Sequence, residues 1–186
     1  MAYFPAFIKL EDQKVLIVGG GKVAQEKSEK LLDFTSDIVL IASEFSTSLL
    51  ALIKKNNLEY NCRAYRVGDI EPFSIVIIAV DSLELQKEIF EESRSLRCFC
   101  NAVDSVEYCD FIFPSYIKEN DLIIAISTSG ASPAFAKHFK HYLKKLLPAN
   151  ISTFLQEMKT MRRELPKGKE RMELLDKKAK KFVESL

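Results

Sequence analysis

Short apolar runs alternate with amphipathic stretches along the first hundred residues, a pattern that predicts a parallel sheet wrapped by helices. Lys14 to Val18, Asp37 to Ala42, Ser74 to Ala79 and Arg97 to Ala102 are short and nearly continuous in hydrophobicity, as strands covered on both faces should be. Leu58 to Tyr65 reads as a weaker strand nearer an edge. Between them, Lys22 to Asp33, Phe45 to Lys55 and Leu83 to Leu96 space charges around apolar positions and read as crossover helices. In the first of these, Val23, Ala24, Leu31 and Leu32 can share one face, with Glu26 and Lys30 an i,i+4 pair on the other.

The periodicity changes after about residue 110. Phe111 to Ile117 and Leu122 to Ser127 are extended runs joined by the polar turn Lys118 to Asp121, which predicts a hairpin. Ser132-Pro133 then offers a hydroxyl N-cap with proline in the first helical position, and the helix it opens should run to about Leu147 before Pro148 closes it. Asn150 to Leu186 reads as two helical segments broken around Pro166-Lys167-Gly168.

Composition narrows the function classes. Hydrophobic residues make up 47% of 186, enough for a packed core. Lys and Arg number 27 against 26 Asp and Glu, so the formal charge of +1 argues against a general nucleic-acid binder. Acidic residues (Glu164, Glu170, Glu173, Asp176) interleave with the basic ones of the last segment, as on a solvated helical face. No apolar run approaches the roughly 18 residues that span a bilayer, and Met1 to Leu10 lacks a basic start and a small-residue cleavage site; a cytoplasmic protein is expected. The four cysteines have no CxxC spacing and read as reduced thiols; no metal site is expected.

The chemistry starts at Val15 to Ala24, Val-Leu-Ile-Val-Gly-Gly-Gly-Lys-Val-Ala, which fits the G-x-G-x-x-G/A fingerprint at the end of a strand and the start of a helix. Gly19 permits the tight turn, Gly21 lets the backbone approach a pyrophosphate, and the helix N-terminus presents unpaired N–H groups. The next strand ends at Ala42-Ser43-Glu44, where Glu44 can accept hydrogen bonds from ribose hydroxyls; it could equally cap the helix from Phe45. With no Arg or Lys beside Glu44 to receive a 2′-phosphate, NAD is favoured over NADP. Ala79 and Val80, followed by Asp81, should line the same crevice. These readings give an α/β fold class: a Rossmann-type parallel sheet with helices on both faces, then a hairpin-plus-helix region and a small C-terminal helical segment. The expected boundaries are 1–112, 113–148 and 149–186.

Two further groups stand on the ligand side. Cys100-Asn101-Ala102-Val103-Asp104 closes the last parallel strand, where Asp104 can act as a general base, as a metal-handling carboxylate or simply as a turn or cap residue. Ser127 to Ser132 is a hydroxyl-rich loop leading into a helix, suited to an anion or merely to capping. The following helix carries Lys137, His138, Lys140, His141, Lys144 and Lys145, whose field a polycarboxylate would feel; the two histidines, at i,i+3, read as a surface feature.

Together these motifs resemble the precorrin-2 dehydrogenase/sirohydrochlorin ferrochelatase family, the N-terminal part of siroheme synthase. The resemblance rests on Phe4-Pro5 and Phe7, the Gly19 to Ala24 turn, Phe99 to Asp104, Phe111 to Ser115, and Ser127 to Pro133, in that order over residues 1 to about 148. Thr128 falls where many family members have serine, and Ser129 where some have glycine. The resemblance implies NAD-dependent oxidation of precorrin-2 to sirohydrochlorin, and in some members ferrous ion insertion as well. It implies cofactor contacts at Lys22, Val23, Ser43 and Glu44, which join Gly19, Gly20, Gly21, Ala79 and Val80 from the fingerprint and the strand ends, with Asp104 as the catalytic carboxylate. Asn101, Ser127, Thr128 and Ser129 are the expected substrate contacts. It further implies a homodimer joined through the region after the nucleotide-binding domain, with the active site in the cleft between that region and the domain. The downstream methyltransferase domain of some members is missing here, so synthesis of precorrin-2 itself is not expected. The alternative is an NAD-sensing regulatory Rossmann module without catalysis; it leaves the Asp104 region and the hydroxyl loop without a role.

Overall fold

The computed structural model describes residues 3–186, which divide into two compact units, residues 3–112 and 113–186. In the first, strands β1 (Val15–Val18), β2 (Ile38–Ala42), β3 (Glu59–Cys62), β4 (Ile75–Ile78) and β5 (Phe99–Ala102) form one parallel sheet in the order β3-β2-β1-β4-β5. Helices α1 (Lys22–Leu32), α2 (Thr47–Asn56) and α3 (Leu83–Leu96) make the crossovers. β1 and β4 are buried along their whole length, as central parallel strands with both faces covered must be. β3, reading Glu-Tyr-Asn-Cys, is exposed at every position and forms one edge, as its weaker pattern predicts, with β5 at the other. The strand order reverses beside β1, and this opens a crevice at the carboxyl ends of β1 and β4.

Helix signals act where the sequence puts them, with one substitution of role. Ser46 and Ser82 cap α2 and α3, their Oγ atoms accepting the N–H groups of Leu49 and Leu85. Ser46 thus takes the capping position, and Glu44 keeps its side chain for other work. On α1 the buried face is Ala24, Ser28 and Leu31, while Val23 is turned outward at the helix start. Between β3 and β4 the chain makes no helix: residues 63–74 form a turn-rich loop whose Ile70 is fully buried in the core.

The second unit pairs β6 (Ser115–Glu119) with β7 (Leu122–Ile126) as an antiparallel hairpin, turned at Asn120 in the left-handed conformation. The first hairpin strand starts at Ser115 and not at Phe111. Pro114 has no N–H for a ladder, and the carbonyl of Phe111 is already taken by the Asn101 amide. Helices α4 (Pro133–Leu146), α5 (Ile151–Glu164) and α6 (Lys169–Glu184) follow, with the break between the last two at Pro166 to Gly168 as expected. Phe154 and Phe182 stack at 3.9 Å between ring centres and tie α5 to α6. Among the described residues, no helix is long and apolar enough to cross a membrane.

Candidate active site

The glycine turn is held from both sides. The N–H of Gly19 donates to the Ile41 carbonyl at 2.8 Å, and the Gly20 carbonyl accepts the Ser46 N–H at 2.8 Å, so the turn is clamped to the end of β2. Gly19 sits at φ 139°, and a Cβ there would lie 2.2 Å from the Ala79 carbonyl oxygen. A Cβ on Gly20 would lie 1.8 Å from the Glu44 carbonyl oxygen. Gly21 differs: a Cβ there meets nothing within 4 Å. It is the N-cap of α1 and makes no side-chain cap, so no side chain caps the first-turn N–H groups. Two glycines therefore serve packing, and the third leaves the approach to a helix N-terminus clear, which fits a pyrophosphate.

A cleft of about 310 Å³ opens beside this turn. Gly19, Gly20, Ser43, Glu44, Ala79 and Val80 line it, bringing together six of the nine positions expected to meet the cofactor. Asp81, Ala64 and Tyr65 complete parts of the wall. Gly21, Lys22 and Val23 lie at the exposed start of α1, where Lys22 is 4.0 Å from Glu26. Ser43 and Glu44 are exposed at the end of β2, so the carboxylate is available to ribose hydroxyls. The shape and donor set of the cleft fit a dinucleotide.

Asp104 lies past the end of β5, exposed, at φ 62° in the left-handed region. Its backbone is bracketed by a residue the sequence reading missed. Gln86, 3% exposed on α3, donates through Nε2 to the carbonyls of Val80 (2.7 Å) and Val103 (3.4 Å), and its Oε1 accepts the Ser105 hydroxyl. One buried amide thus ties the loop after β4 to both neighbours of Asp104. A glutamine on a helix reads as solvent-facing, and only the packing of α3 against both loops reveals it. Lys27 was also missed. It reaches from α1 toward Asp104 and Cys109, and its ammonium is pushed down to about 8, chiefly by burial and then by the charge of Lys30. The nearby charges of Cys109, Asp104 and Glu26 oppose that shift.

The other expected site residues are committed differently. Asn101 is 4% exposed, and its Nδ2 donates to the Phe111 carbonyl at 2.8 Å, while its Oδ1 is buried with no hydrogen-bond partner. Its amide therefore ties β5 to the segment leaving the first unit. Asp110 assists by accepting the Cys100 N–H at 2.8 Å and pairing with both guanidinium nitrogens of Arg94. In the second unit, Ser127 Oγ accepts the Ser129 N–H and Thr128 Oγ1 accepts the Ser132 N–H. The Ser132 hydroxyl caps α4 by accepting from Phe135, so part of the hydroxyl loop does serve capping. Ser129 (φ 50°) and Gly130 (φ 86°) turn the chain just ahead of that helix. The four cysteines are free; burial pushes the Cys98 and Cys100 thiols up to about 11 and 12. Among the described residues, no group of His, Cys, Asp and Glu is arranged to hold a metal ion.

Comparisons with known proteins agree with this geometry. The siroheme synthase of Neisseria meningitidis serogroup C (strain 053442) is 35% identical over 151 residues, 81% of this chain and 32% of its own length. Siroheme synthase 1 of Serratia proteamaculans (strain 568) gives the same identity and coverage. The siroheme synthase of Neisseria meningitidis serogroup B (strain ATCC BAA-335 / MC58) is 33% identical over 169 residues, 91% of this chain and 35% of its own. The chain spans about a third of the length of these curated relatives. Among solved structures, SirC, precorrin-2 dehydrogenase, has the same fold, with a TM-score of 0.80 at 21% identity over 94% of this chain and 88% of that one. The family model described as "Putative NAD(P)-binding" matches residues 6–115, which hold the sheet, the glycine turn and the cleft, and the chain belongs to that family.

Proposed function

We propose that this chain oxidises precorrin-2 to sirohydrochlorin, with NAD as the electron acceptor, in siroheme biosynthesis. The observation that carries the reading is the glycine-lined cleft at the reversal of strand order, with Asp104 fixed at the carboxyl end of the same sheet. The names of the siroheme synthase relatives and of the SirC fold neighbour support the substrate class.

NAD, when bound, supplies the acceptor for a hydride. The chain supplies the rest. The open backbone at Gly21 and the first-turn amides of Lys22 and Val23 hold the pyrophosphate; Glu44 and Ser43 receive the ribose; Ala79 and Val80 form the wall of the crevice. Asp104 takes or relays the proton that leaves the macrocycle, and its fixed backbone keeps the carboxylate in one place for that transfer. Asn101 keeps the Asp104 strand in register, and Ser127, Thr128 and Ser129 donate hydroxyl protons to the carboxylates of the substrate. The chain acts as a cytoplasmic homodimer, with 113–148 as the dimerising and substrate-binding region and 149–186 as a helical addition. Ferrous ion insertion into sirohydrochlorin would be a second use of Asp104, which would take the pyrrole protons as the metal enters.

Anaerobic incubation of the purified protein with enzymatically generated precorrin-2 and NAD tests the reading. NADH and sirohydrochlorin should appear together, and adding ferrous ion should give a further spectral change above the uncatalysed rate if the second activity is present. Tight NAD binding with no oxidation would sink the enzyme reading and leave the nucleotide-sensing module.

A further inference from the structure

An arginine stands next in the chain to Ala64 and Tyr65, which line the cleft with Ser43 and Glu44. β2 and β3 pair in parallel with Ala42 opposite Cys62, so Arg63 and Ala64 follow Cys62 just as Ser43 and Glu44 follow Ala42. Cys62 Sγ donates to the Ser43 carbonyl at 3.4 Å, and Ala64 and Tyr65 line the cleft with Ser43 and Glu44. The Arg63 guanidinium turns back along this rim: Nη1 donates to the Ala64 carbonyl at 3.0 Å. A cation in that place is what a 2′-phosphate would seek.

That cation is already taken. Arg63 Nη1 and Nη2 donate to the two oxygens of Asp69 at 2.6 and 2.8 Å, a bidentate pair, and the Asp69 carboxylate also accepts the Arg66 N–H at 2.9 Å. Asp69 is only 14% exposed in its side chain, so the pair is partly withdrawn from water. The loop that carries it is fastened to α3. Glu92 accepts the Tyr65 hydroxyl at 2.6 Å and the Gly68 N–H at 2.8 Å, and Ile70 plugs the core just beyond. Residues 63–70 thus form a fixed rim, and the hydrogen bonds from Arg63 hold the Asp69 carboxyl below its ordinary range.

We propose that Asp69 is a cofactor-selecting residue: by occupying both arms of Arg63, beside the residues that line the cleft, it withholds this cation from a 2′-phosphate and favours NAD. Glu44 works in the same direction from the opposite strand, since its carboxylate welcomes hydroxyls and repels a phosphate. The inference rests on the reading of the cleft as a dinucleotide site, and it goes beyond that reading by assigning selectivity to a pair outside the fingerprint.

The test is direct binding of NAD and NADP to the full chain by calorimetry, without substrate. Asp69→Asn keeps the side-chain shape and the acceptor for the Arg66 N–H but removes the charge that holds the guanidinium. NADP affinity should rise roughly tenfold or more in this variant, the scale of one charge-assisted hydrogen bond. NAD affinity should stay within about threefold, with the circular dichroism spectrum of wild type. Arg63→Met combined with Asp69→Asn should erase the gain. Asp69→Ala, which removes the carboxylate outright, gives a second route to a freed Arg63 should Asp69→Asn fail to fold; it should also bind NADP more tightly. A folded Asp69→Asn chain that binds NAD normally and NADP no better than wild type overturns the proposal while leaving the dinucleotide site standing. Failure of the wild-type chain to bind NAD would instead remove the reading on which the proposal depends.

Discussion

The two units of this chain bury their apolar residues very differently. In residues 3–112, β1 and β4 are buried throughout and the core continues through Leu40, Leu49, Ile70 and Ile89, all at 0% exposure. In residues 113–186, the buried apolar side chains among the described residues are Ile117, Ala136 and Leu175. On α4 of that unit, Phe135, Tyr142 and Leu146 stay 56%, 57% and 59% exposed, and a ladder of rings runs Phe135–Phe139–Tyr142 at 5.3 and 6.1 Å. A five-stranded parallel sheet covered by helices closes its own core, whereas a hairpin and three helices have too few layers to do so. The first unit has what a cofactor site needs, a rigid frame with a cleft at the carboxyl ends of its inner strands. The second presents an apolar stripe suited to association.

The largest effect expected from this contrast lies in the first unit. Asp104→Asn keeps a residue that tolerates the left-handed backbone but cannot take a proton, and should lower kcat for precorrin-2 oxidation by roughly 10²–10⁴-fold with NAD affinity unchanged. Gln86→Leu should lower kcat about tenfold through the same loop, whereas a purely structural role would move only the melting temperature. The glycines should separate next. Gly20→Ala drives a Cβ into the Glu44 carbonyl and should cost about 3 kcal/mol of stability in urea titration. Gly21→Ala meets no protein atom and should unfold like wild type while binding NAD about tenfold more weakly, because it fills the approach to the pyrophosphate. Equal stability losses in the two variants would contradict the division between packing and approach.

The second unit offers the next test. On the proposed homodimer, Tyr142→Asp on the exposed stripe should weaken self-association by about 2 kcal/mol and lower the sedimentation mass, with the melting of the sheet unit unchanged. A mass unaffected by this change would detach the stripe from association. The smallest effect concerns Lys27, whose ammonium is held near 8 against the 10.5 of an exposed lysine. Below pH 8 both folded and unfolded chains carry the proton, and the folded one bears the whole cost of burying it. Between 8 and 10.5 the folded chain loses the proton first, so this cost fades as pH rises. Lys27→Met should therefore stabilise the chain by about 1 kcal/mol at pH 7, and by less at pH 9.5, in paired thermal melts.

Much of this was legible in the order of residues, for definite reasons. Apolar runs of four or five residues locate β1, β2 and β4, because a strand covered on both faces has little room for polar positions. The fingerprint placed Gly19, Gly20 and Glu44 at one cleft because its spacing is itself a statement about a turn between a strand and a helix. The expectation that no cation lies beside Glu44 was read along the chain alone; the pairing of β2 with β3 brings Cys62, and with it the segment that starts at Arg63, alongside the end of β2.

What the sequence alone determined, then, is local or periodic: which segments are strands and helices, where they cap, and where a backbone can admit a phosphate. The company each polar side chain keeps is set by the fold in space. Asp69 claims Arg63, Gln86 brackets Asp104, Lys27 loses its water, and Asn101 turns inward to Phe111. The physical reason is that hydrogen bonds and desolvation depend on neighbours in space, and in a parallel sheet those neighbours come from strands and helices distant in the chain.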